Sequence, residues 1–271
     1  MSVENIAISD AEFTRFQALI YKIAGISLSD AKKVLLTGRL SKRLRHYDFS
    51  SYGEYYRLVS GGQDGGELQT MVDLLTTNET YFFREEKHFD FLATHILPKH
   101  PPGVAFNVWS AASSSGEEVY TIAMVAAEHF GLHGNWMVTG SDISQRVLAA
   151  AQRGLYTMER ARGIPPELLR KYCLKGVRTQ EGMLLIDQPL RKHTRFLQVN
   201  LNQDLPQVGN FDVIFLRNVM IYFDNDTKRD VVARLVDQLK PGGYFIVGHS
   251  ESLSGLTDAL RPLQPTIYRK P

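Results

Sequence analysis

The chain has 271 residues, of which 44% are hydrophobic and 22% are charged, and its formal net charge is +2. These proportions predict one or two folded domains rather than a disordered chain, and the small net charge argues against a nucleic-acid or membrane surface. A single cysteine, Cys173, excludes an internal disulfide and disfavours a cysteine-based metal site. The sequence has no secretory signal pattern and no run of about 18 apolar residues. We therefore expect a cytoplasmic protein.

Residues 1–75 are predicted to form an all-helical domain. Ser9 followed by Glu12 is a capping-box pattern, and Gly25 is placed to end the first helix. A second helix, from Ser29 to about His46, has its leucines on one arc and basic residues on the neighbouring arc. That basic arc consists of Lys32, Arg39, Lys42 and Arg43. It is either a solvated face or a docking site for an acidic partner, and composition alone leaves both open.

Residues 76–103 are predicted to be a linker between the helical domain and an α/β domain. The residues that favour turns and caps over helix interiors are Thr76, Thr77, Asn78 and Thr80. The aromatic run Tyr81–Phe83 and then Arg84 follow. Ligand clefts often form at such a join between domains, so this segment is a candidate part of a binding site.

Residues 104–271 alternate between predicted strands and helices, which indicates an α/β domain with a mainly parallel sheet. A strand from Phe106, six small residues at 111–116 and a helix from Glu117 form its first unit. Such a turn lets a ligand approach backbone N–H groups at a helix start. It is neither GxGxxG nor GxxxxGK[ST], and the carboxylates of Glu117 and Glu118 would repel a pyrophosphate. The pattern predicts a nucleotide-like ligand whose binding does not depend on phosphate contacts. An ordinary turn between a strand and a helix is the alternative.

Asp142 follows the second predicted strand, Trp136–Thr139. In nucleotide-binding α/β folds, a carboxylate at this place accepts hydrogen bonds from ribose hydroxyls. Asp142 lies 26 residues after Gly116, slightly more than the usual spacing of about 20. A lone aspartate at a strand end is more often a helix cap, but together with the small-residue turn we favour ribose binding.

Residues 174–197 interrupt the alternation of strands and helices. Gly176 and Gly182 separate short β-like runs, and Pro189 limits the later run to a sheet edge or a break. We predict a small antiparallel β-subdomain at about residues 174–197, inserted into the α/β domain.

Six stretches spread over residues 74–252 form an ordered set: LLTTNETYFFRE, VWSAASSSGEEVYTIA, GSDIS, VNL, FLRNVMIYF and LKPGGYFIVGHSES. Together they resemble the chemotaxis receptor methyltransferases, the CheR family, as does the helical N-terminus. The resemblance implies an all-α N-terminal domain before a class I S-adenosylmethionine-dependent methyltransferase domain. The latter is expected to be Rossmann-like, with a seven-stranded mixed sheet in which one strand is antiparallel. A small β-subdomain is expected to be inserted into it. It also implies methyl transfer to glutamate carboxylates in the cytoplasmic helical region of chemoreceptors, which resets their sensitivity in adaptation.

The resemblance implies roles for individual residues. Arg84 and Tyr222 match the pair proposed to act at the methyl-transfer centre. The positions that match the family's cofactor contacts are Asn78, Thr80, Arg84, Glu118, Asp142, Asn200, Leu201, Arg217 and Asn218. S-adenosylmethionine is the expected cofactor, and no metal is expected.

The residue types suit a methyl transfer from a sulfonium cation to a carboxylate. Glutamate, with a reference pKa of about 4.3, is already anionic at neutral pH, so no general base is needed. Because charge is lost along the reaction path, strong stabilisation of the free carboxylate would slow the step. The useful work is to hold one oxygen in line with the methyl group. Tyr222 is predicted to orient that oxygen, and Arg84 to anchor the donor's carboxylate or steer the acceptor.

The resemblance also gives the basic arc a partner, because chemoreceptor methylation helices are rich in glutamate. We therefore predict receptor binding at Lys32, Arg39, Lys42 and Arg43. Relatives that dock on a receptor C-terminal pentapeptide have a G-x-G turn in the β-subdomain. Here KGVRTQEG keeps Gly176 but has Arg178 at the second position. The segment is not shortened, so pentapeptide docking stays open. A monomer recruited to membrane receptor arrays is expected.

Two other functions were weighed. A nucleic-acid methyltransferase commonly has an [DNS]PP[YF] loop after the fourth strand, whereas this chain has RNVMIY there and little net charge. A non-catalytic scaffold that senses the cofactor and binds receptors is the second alternative. The residues that disfavour it are Arg84, Asp142 and Tyr222, since they match positions for binding and transfer.

Overall fold

The computed structural model describes residues 6–62 and 65–271, so the first five residues of the predicted helical domain and residues 63–64 lie outside the description. The chain divides into two compact units. Unit 1 runs up to Thr77 and includes Tyr222–Thr227, and unit 2 comprises Asn78–Ile221 and Lys228–Pro271. The change between units after Thr77 falls inside the predicted linker.

Unit 1 is helical up to Thr77. Its helices are α1 (Asp10–Ala24), α2 (Lys33–His46), α3 (Tyr52–Ser60) and α4 (Gly65–Leu75), with a 3₁₀ turn at Asp30–Lys32 before α2. The predicted capping box is confirmed: Ser9 N donates to Glu12 Oε2 at 2.9 Å, and Ser9 Oγ accepts from Glu12 N. Gly25 ends α1 in the left-handed conformation with a φ of 70°.

The segment Tyr222–Thr227 joins unit 1 through residues that follow α1. Ser27 N donates to Tyr222 O at 2.8 Å. Ile26 and Phe223 form an isolated antiparallel bridge. Unit 1 is therefore assembled from two stretches that are far apart in the sequence.

Unit 2 is built on a seven-stranded mixed sheet. The strands, in spatial order, are β6 (Thr194–Gln198), β2 (Trp136–Asp142), β1 (Phe106–Ser110), β7 (Phe211–Leu216), β8 (Leu239–Val247), β10 (Ile267–Arg269) and β9 (Arg261–Gln264). Neighbours from β6 to β8 pair in parallel, and β10 is antiparallel to both β8 and β9. One strand thus runs against the other six, as the family resemblance implied.

Helices flank this sheet. They are α5 (Lys87–Phe91), α6 (Glu117–Phe130), α7 (Gln145–Arg153), α8 (Pro166–Tyr172), α9 (Gln188–Arg191) and α10 (Asn225–Asp237), the last of which begins in unit 1. The inward side chains of Val108, Val213 and Phe215 are fully buried, and they share one hydrophobic core with Ile122 and Met124 of α6. Burial of both sheet faces explains the continuous apolar runs of β1 and β7. No described helix is long and apolar enough to cross a bilayer.

A second, three-stranded antiparallel sheet has the order β3-β5-β4. Its strands are β3 (Leu155–Thr157), β4 (Cys173–Lys175) and β5 (Met183–Ile186). The structure shifts the predicted bounds of about 174–197. The small sheet takes its first strand from before that range, and Thr194–Gln198 pairs with β2 in the large sheet instead. A three-residue strand such as β3 is too short to show alternation, which explains why the sequence did not reveal it.

The strand order reverses at β1, because the chain passes from β1 to β2 and β6 on one side and returns to β7 on the other. In open α/β sheets, ligands bind at such a switch point, outside the carboxyl ends of the strands. The residues that follow β1, β2 and β7 therefore meet at one edge of the sheet. The functional site is therefore expected at that edge.

Candidate functional site

The turn after β1, residues 111–116, is held against the end of β2. Ser113 N donates to Ser141 O at 2.8 Å, and Gly116 N donates back to Ser113 O at 3.0 Å. Gly116 has a φ of 94°, and a Cβ there would lie 2.8 Å from the Cβ of Ala151. Only glycine fits this place, since both the conformation and the space exclude a side chain.

Asp142, at the end of β2, joins the turn to the next helix. Its Oδ2 accepts from Ser114 N at 2.9 Å, and its Oδ1 accepts from Ser144 N at 2.9 Å. Asp142 therefore anchors both the turn and Ser144, the N-cap residue of α7. A carboxylate oxygen can accept two hydrogen bonds, so this kind of group is suited to a ligand hydroxyl.

Two buried hydroxyls adjoin Asp142. Within the described residues, Ser113 Oγ and Ser144 Oγ have no hydrogen-bond partner although both residues are almost fully buried. Buried hydroxyls in folded proteins are nearly always paired. Orphaned hydroxyls beside a carboxylate therefore fit a ligand with hydroxyl or amino groups, as a nucleoside has.

A buried arginine connects the ends of β1 and β7. Arg217 follows β7, and its Nη1 donates to Glu118 Oε2 at 2.7 Å. Ser110 Oγ donates to the other oxygen of Glu118, also at 2.7 Å. Arg217 Nη2 donates to the backbone oxygen of Arg84 and, at 3.0 Å, to Glu85 Oε2. Glu118 is thus neutralised by Arg217 and ties the start of α6 to the Arg84–Glu85 segment.

Glu85 is a member of this network that the sequence did not single out. It accepts from Asn218 Nδ2 and from His249 N, each at 3.0 Å, as well as from Arg217. Burial pushes the pKa of Glu85 up, but the hydrogen bond from Asn218 and the charge of Arg217 outweigh it and lower the pKa. Glu85 is therefore ionised at neutral pH.

Glu251 closes the same side of the site. It lies just after β8 and accepts from the backbone N–H groups of Asn218, Met220 and Gly248, each at 2.8 Å. Burial raises the pKa of Glu251, although these hydrogen bonds oppose the rise. The carboxyl group thus joins the loop after β7 to the loop after β8 by hydrogen bonds.

The backbone around this network adopts left-handed conformations outside glycine. The φ angles are 57° at Phe83, 57° at Glu85, 48° at Ser114 and 58° at Asn218. Such angles cost free energy for residues with a side chain, and they cluster at ligand sites where the surrounding structure enforces them. Four of them at one end of the sheet support a functional site.

Glu117 and Glu118, which the sequence presented as one feature, have different surroundings. Glu117 is fully buried, accepts from Ser115 Oγ at 2.7 Å and forms an ion pair with Arg160. Burial raises the pKa of Glu117, and the Ser115 hydrogen bond and Arg160 oppose this only in part. Glu117 braces the turn, whereas Glu118 belongs to the Arg217 network.

Comparison with known proteins identifies the chain. The family model described as "CheR methyltransferase, SAM binding domain" matches residues 78–269, and "CheR methyltransferase, all-alpha domain" matches residues 11–76. The chain belongs to the CheR methyltransferase family. The resemblance inferred from the sequence is confirmed, and so is the fold of an all-α N-terminal part before a SAM-binding methyltransferase domain.

Relatives of known name support the same family. The chain is 41% identical to a chemotaxis protein methyltransferase of Escherichia coli K12 and 40% identical to that of Salmonella typhimurium LT2, each over 98% of this chain and 92% of the relative. It is 37% identical to chemotaxis protein methyltransferase 2 of Pseudomonas aeruginosa, over 95% of this chain and 92% of the relative. A solved N-methyltransferase, NodS from Bradyrhizobium japonicum, covers 73% of this chain at 15% identity with a TM-score of 0.42, too weak a likeness for any conclusion.

In this CheR-family chain, two hydrogen-bonded groups contain most of the predicted cofactor residues. Asn78 O accepts from Ser114 Oγ at 2.9 Å, so Asn78 and Asp142 both hold the turn. Glu118, Arg217 and Asn218 belong to the network around Glu85. The structure thus brings five of the predicted positions to the carboxyl edge of the sheet.

Other predicted cofactor positions contribute differently. Arg84 Nη1 donates to Glu79 O at 2.8 Å, and its guanidinium lies over the Tyr81 ring at 5.8 Å. Asn200 closes the turn after β6, since its Oδ1 accepts from Asn202 N at 3.0 Å. Leu201 beside it is buried, and Thr80 is half-buried. Their roles toward a cofactor stay predictions.

The predicted transfer pair is divided between the two units. Arg84 belongs to unit 2 and Tyr222 to unit 1, where the backbone oxygen of Tyr222 accepts from Ser27. The phenol of Tyr222 is half-buried. The assignment of this pair to catalysis stays a prediction.

The predicted receptor-binding residues of α2 fall into two kinds. Arg43 donates twice to the buried carboxylate of Glu67, at 2.8 and 2.5 Å. Arg39 donates to the carbonyl oxygens of Leu75 and Thr76, at 2.7 and 3.3 Å. Both arginines therefore hold α2 to α4 within unit 1. Two members of the predicted arc are exposed, namely Lys32 and Lys42.

Proposed function

We propose that this protein transfers the methyl group of S-adenosylmethionine to glutamate side chains of chemoreceptors and forms glutamate methyl esters during chemotactic adaptation. The observation that carries the proposal is the convergence of the 111–116 turn and Asp142 at the switch point of the sheet, in a chain whose relatives are named chemotaxis protein methyltransferases.

S-adenosylmethionine, when bound, supplies a sulfonium-activated methyl group. We assign Asp142 to its ribose hydroxyls, and we assign the free hydroxyls of Ser113 and Ser144 to polar atoms of the same ligand. Asn78, Thr80 and Arg84 are proposed for the donor's amino-acid end, where a guanidinium suits a carboxylate.

The charges of the site suit a cationic donor. Glu85 and Glu118 both contact Arg217, so two carboxylates share one guanidinium and one negative charge remains uncompensated. A site with this balance favours a sulfonium cation over a phosphate. The position of two glutamates at the start of α6 is thereby compatible with a nucleoside ligand.

The transfer needs positioning rather than proton removal. An acceptor carboxylate oxygen forms a bond to the methyl carbon while the carbon–sulfur bond breaks and its electron pair stays on sulfur. Tyr222 is proposed to orient the acceptor oxygen and Arg84 to steer the reactants, both by hydrogen bonding. Because the acceptor is anionic at neutral pH, no residue of the chain has to act as a base.

Receptor docking is proposed for the exposed lysines of the basic arc, Lys32 and Lys42. Arg39 and Arg43, which hold α2 to α4, then serve docking mainly by fixing the helix that presents those lysines. The acceptor is the cytoplasmic helical region of the receptors, and the protein acts as a cytoplasmic monomer recruited to receptor arrays. Use of a receptor C-terminal pentapeptide stays open.

The test is transfer of labelled methyl from S-adenosylmethionine to membranes that bear purified chemoreceptors, with and without the receptors' C-terminal tails. We expect base-labile label at glutamates, lost when those glutamates are replaced by alanine. Label in added DNA or RNA would instead indicate a nucleic-acid methyltransferase. Cofactor binding without any transfer would indicate a non-catalytic scaffold.

A further inference from the structure

Glu85, His88 and His249 form a cluster whose potential metal-ligating atoms all lie within 4.8 Å of one another. All three residues belong to unit 2. His88 is 2% exposed, whereas His249 lies at the surface. The two imidazole rings contact each other with centroids 4.9 Å apart.

Hydrogen bonding fixes the tautomer of His88. The Thr266 hydroxyl donates its only proton to Pro265 O at 2.6 Å, so it accepts from His88 Nε2, which lies 2.7 Å away. We assign the proton of the neutral imidazole to Nε2 on this basis, which leaves a lone pair on Nδ1. This is the arrangement that orients a metal-ligating histidine: one nitrogen donates to a neighbour and the other is left for the metal.

The lone pair of His88 faces another acceptor. Nδ1 is buried with no hydrogen-bond partner in the described chain, and it lies 3.6 Å from Glu85 Oε2. An imidazole lone pair and a carboxylate oxygen that face each other are stabilised by a cation between them.

We propose that Glu85, His88 and His249 bind a divalent transition-metal ion of the zinc class. Two imidazole nitrogens and one carboxylate oxygen are a donor set that suits zinc, with the remaining position open to solvent at exposed His249. The surplus negative charge of Glu85 and Glu118 over Arg217 favours a cation here. This departs from the sequence-based expectation that no metal is bound.

Metal binding at this place involves small movements with a consequence for the cofactor site. Zinc bonds of about 2.0–2.1 Å place tetrahedral ligand atoms about 3.3 Å apart, so the exposed ring of His249 turns inward. Glu85 Oε2 already accepts from Arg217 and His249 N, and ligation takes one of those lone pairs. Ligation therefore displaces the hydrogen bond of Glu85 with Arg217 or with the backbone of His249, so metal and cofactor influence each other's affinity.

The experiment is zinc titration of the untagged full-length protein against a chromophoric chelator, together with the absorption spectrum of the cobalt-substituted protein. We expect one equivalent of zinc per chain and d–d bands of tetrahedral cobalt. His249→Ala and Glu85→Gln should each raise the zinc Kd by at least about tenfold. His133→Ala is the matched control, because it removes an exposed histidine of the same unit that is not in the cluster.

Failure to bind one equivalent of zinc would overturn the proposal, and so would an unchanged Kd in His249→Ala. If Glu85→Gln does not fold, His249→Ala decides the matter, since an exposed side chain is not needed for folding. A loss of zinc in His133→Ala that equals the loss in His249→Ala would place the metal elsewhere and also overturn the proposal. Methyl transfer is not part of this readout, so the result is independent of the proposed function.

Discussion

Each unit contains an arginine paired with glutamate away from solvent, half-buried Arg43 in unit 1 and buried Arg217 in unit 2, and the two networks differ in how completely they are satisfied. In unit 1, Glu67 accepts from Arg43 and from the hydroxyls of Tyr47 and Tyr55, at 3.0 and 2.7 Å. Burial alone would raise the pKa of Glu67, but the hydrogen bonds from Arg43 and the tyrosines outweigh it and lower the pKa.

The network of unit 2 leaves groups unpaired. Within the parts of the chain that are described, every buried side-chain polar atom without a partner lies in unit 2, and these atoms include Arg217 Nε, His88 Nδ1 and the hydroxyls of Ser113 and Ser144. A complete network rigidifies a core, whereas an incomplete one identifies a place that a ligand completes. The contrast separates an Arg–Glu pair whose network is complete from one with unpaired atoms, which supports the cofactor site proposed in unit 2.

The largest effect is expected from Arg43→Ala. It leaves Glu67 buried without its cation, so the free energy of unfolding should fall by about 3 kcal/mol. Urea denaturation followed by circular dichroism measures it. Arg45→Ala, on an exposed position of the same helix, should change stability by less than about 0.5 kcal/mol. Equal losses in both variants would mean that the Glu67 network is not structural.

Asp142→Asn should weaken cofactor binding with a smaller effect on stability. The amide places a donor against Ser114 N or Ser144 N and removes a charged acceptor for ribose hydroxyls, so the Kd for S-adenosylhomocysteine should rise about 10- to 100-fold. Calorimetric titration measures the Kd. Asp204→Asn is the control, because Asp204 is an exposed acid of the same unit. A Kd within twofold of wild type would refute ribose binding at Asp142.

Arg84→Ala and Tyr222→Phe test the transfer centre. Each should lower kcat about tenfold through lost positioning, and Arg84→Ala should also raise the KM for the donor. Initial rates with saturating receptor and donor give kcat. If both variants keep kcat within about twofold of wild type, the catalytic roles of this pair are wrong.

Charge reversal of Lys32 and Lys42 to glutamate tests whether these lysines bind the receptor. The KM for receptor should rise about tenfold, more strongly at low salt, while the donor KM stays constant. Reversal of Arg15 and Arg57, exposed residues of α1 and α3, imposes the same change of net charge. Receptor KM values that rise equally in both double variants would show a general charge effect and no docking site.

Glu117→Gln should give the smallest effect, visible as a change with pH. The folded-state pKa of Glu117 is raised by burial, so its contribution to stability is greatest at low pH and is lost as pH rises through that pKa. The free energy of unfolding of the variant should therefore increase relative to that of wild type as pH rises from about 4 to 8. Glu128→Gln should show the opposite trend in a lower window, because the Lys171 and Tyr172 hydrogen bonds outweigh burial and lower the pKa of Glu128. Its contribution to stability is complete above about pH 4.3 and is lost as pH falls through the lowered pKa. Parallel trends would contradict both assignments.

Local signals in the sequence were sufficient for much of the fold. The Ser9–Glu12 cap depends on residues three apart, and the strand-turn-helix at Phe106–Glu117 depends on spacing within one unit. Asp142 could be selected because it ends a strand. These features are decided by neighbours in the chain, which a single sequence displays.

Partners distant in the sequence could not be predicted. A helical wheel placed Arg39 and Arg43 on one arc. It could not show that Arg43 would form an ion pair with Glu67, which lies 24 residues further along the chain. Glu85 and Arg217 are 132 residues apart, and their pairing depends on strand order. Glu117 and Glu118 likewise differ because of their tertiary surroundings. Hydrophobic periodicity and amino-acid composition do not reveal such contacts.

The inclusion of Tyr222–Thr227 in unit 1 has a consequence for dividing the protein experimentally. The covalent chain passes from one unit to the other three times, after Thr77, after Ile221 and after Thr227. A fragment that starts at Asn78 would keep Tyr222 and Phe223 but lose Ser27 and Ile26, to which they are joined. The residue proposed to orient the acceptor is thus held by the helical unit, so a domain exchange between homologous enzymes that cuts at Asn78 would separate Tyr222 from the Ser27 of its own chain.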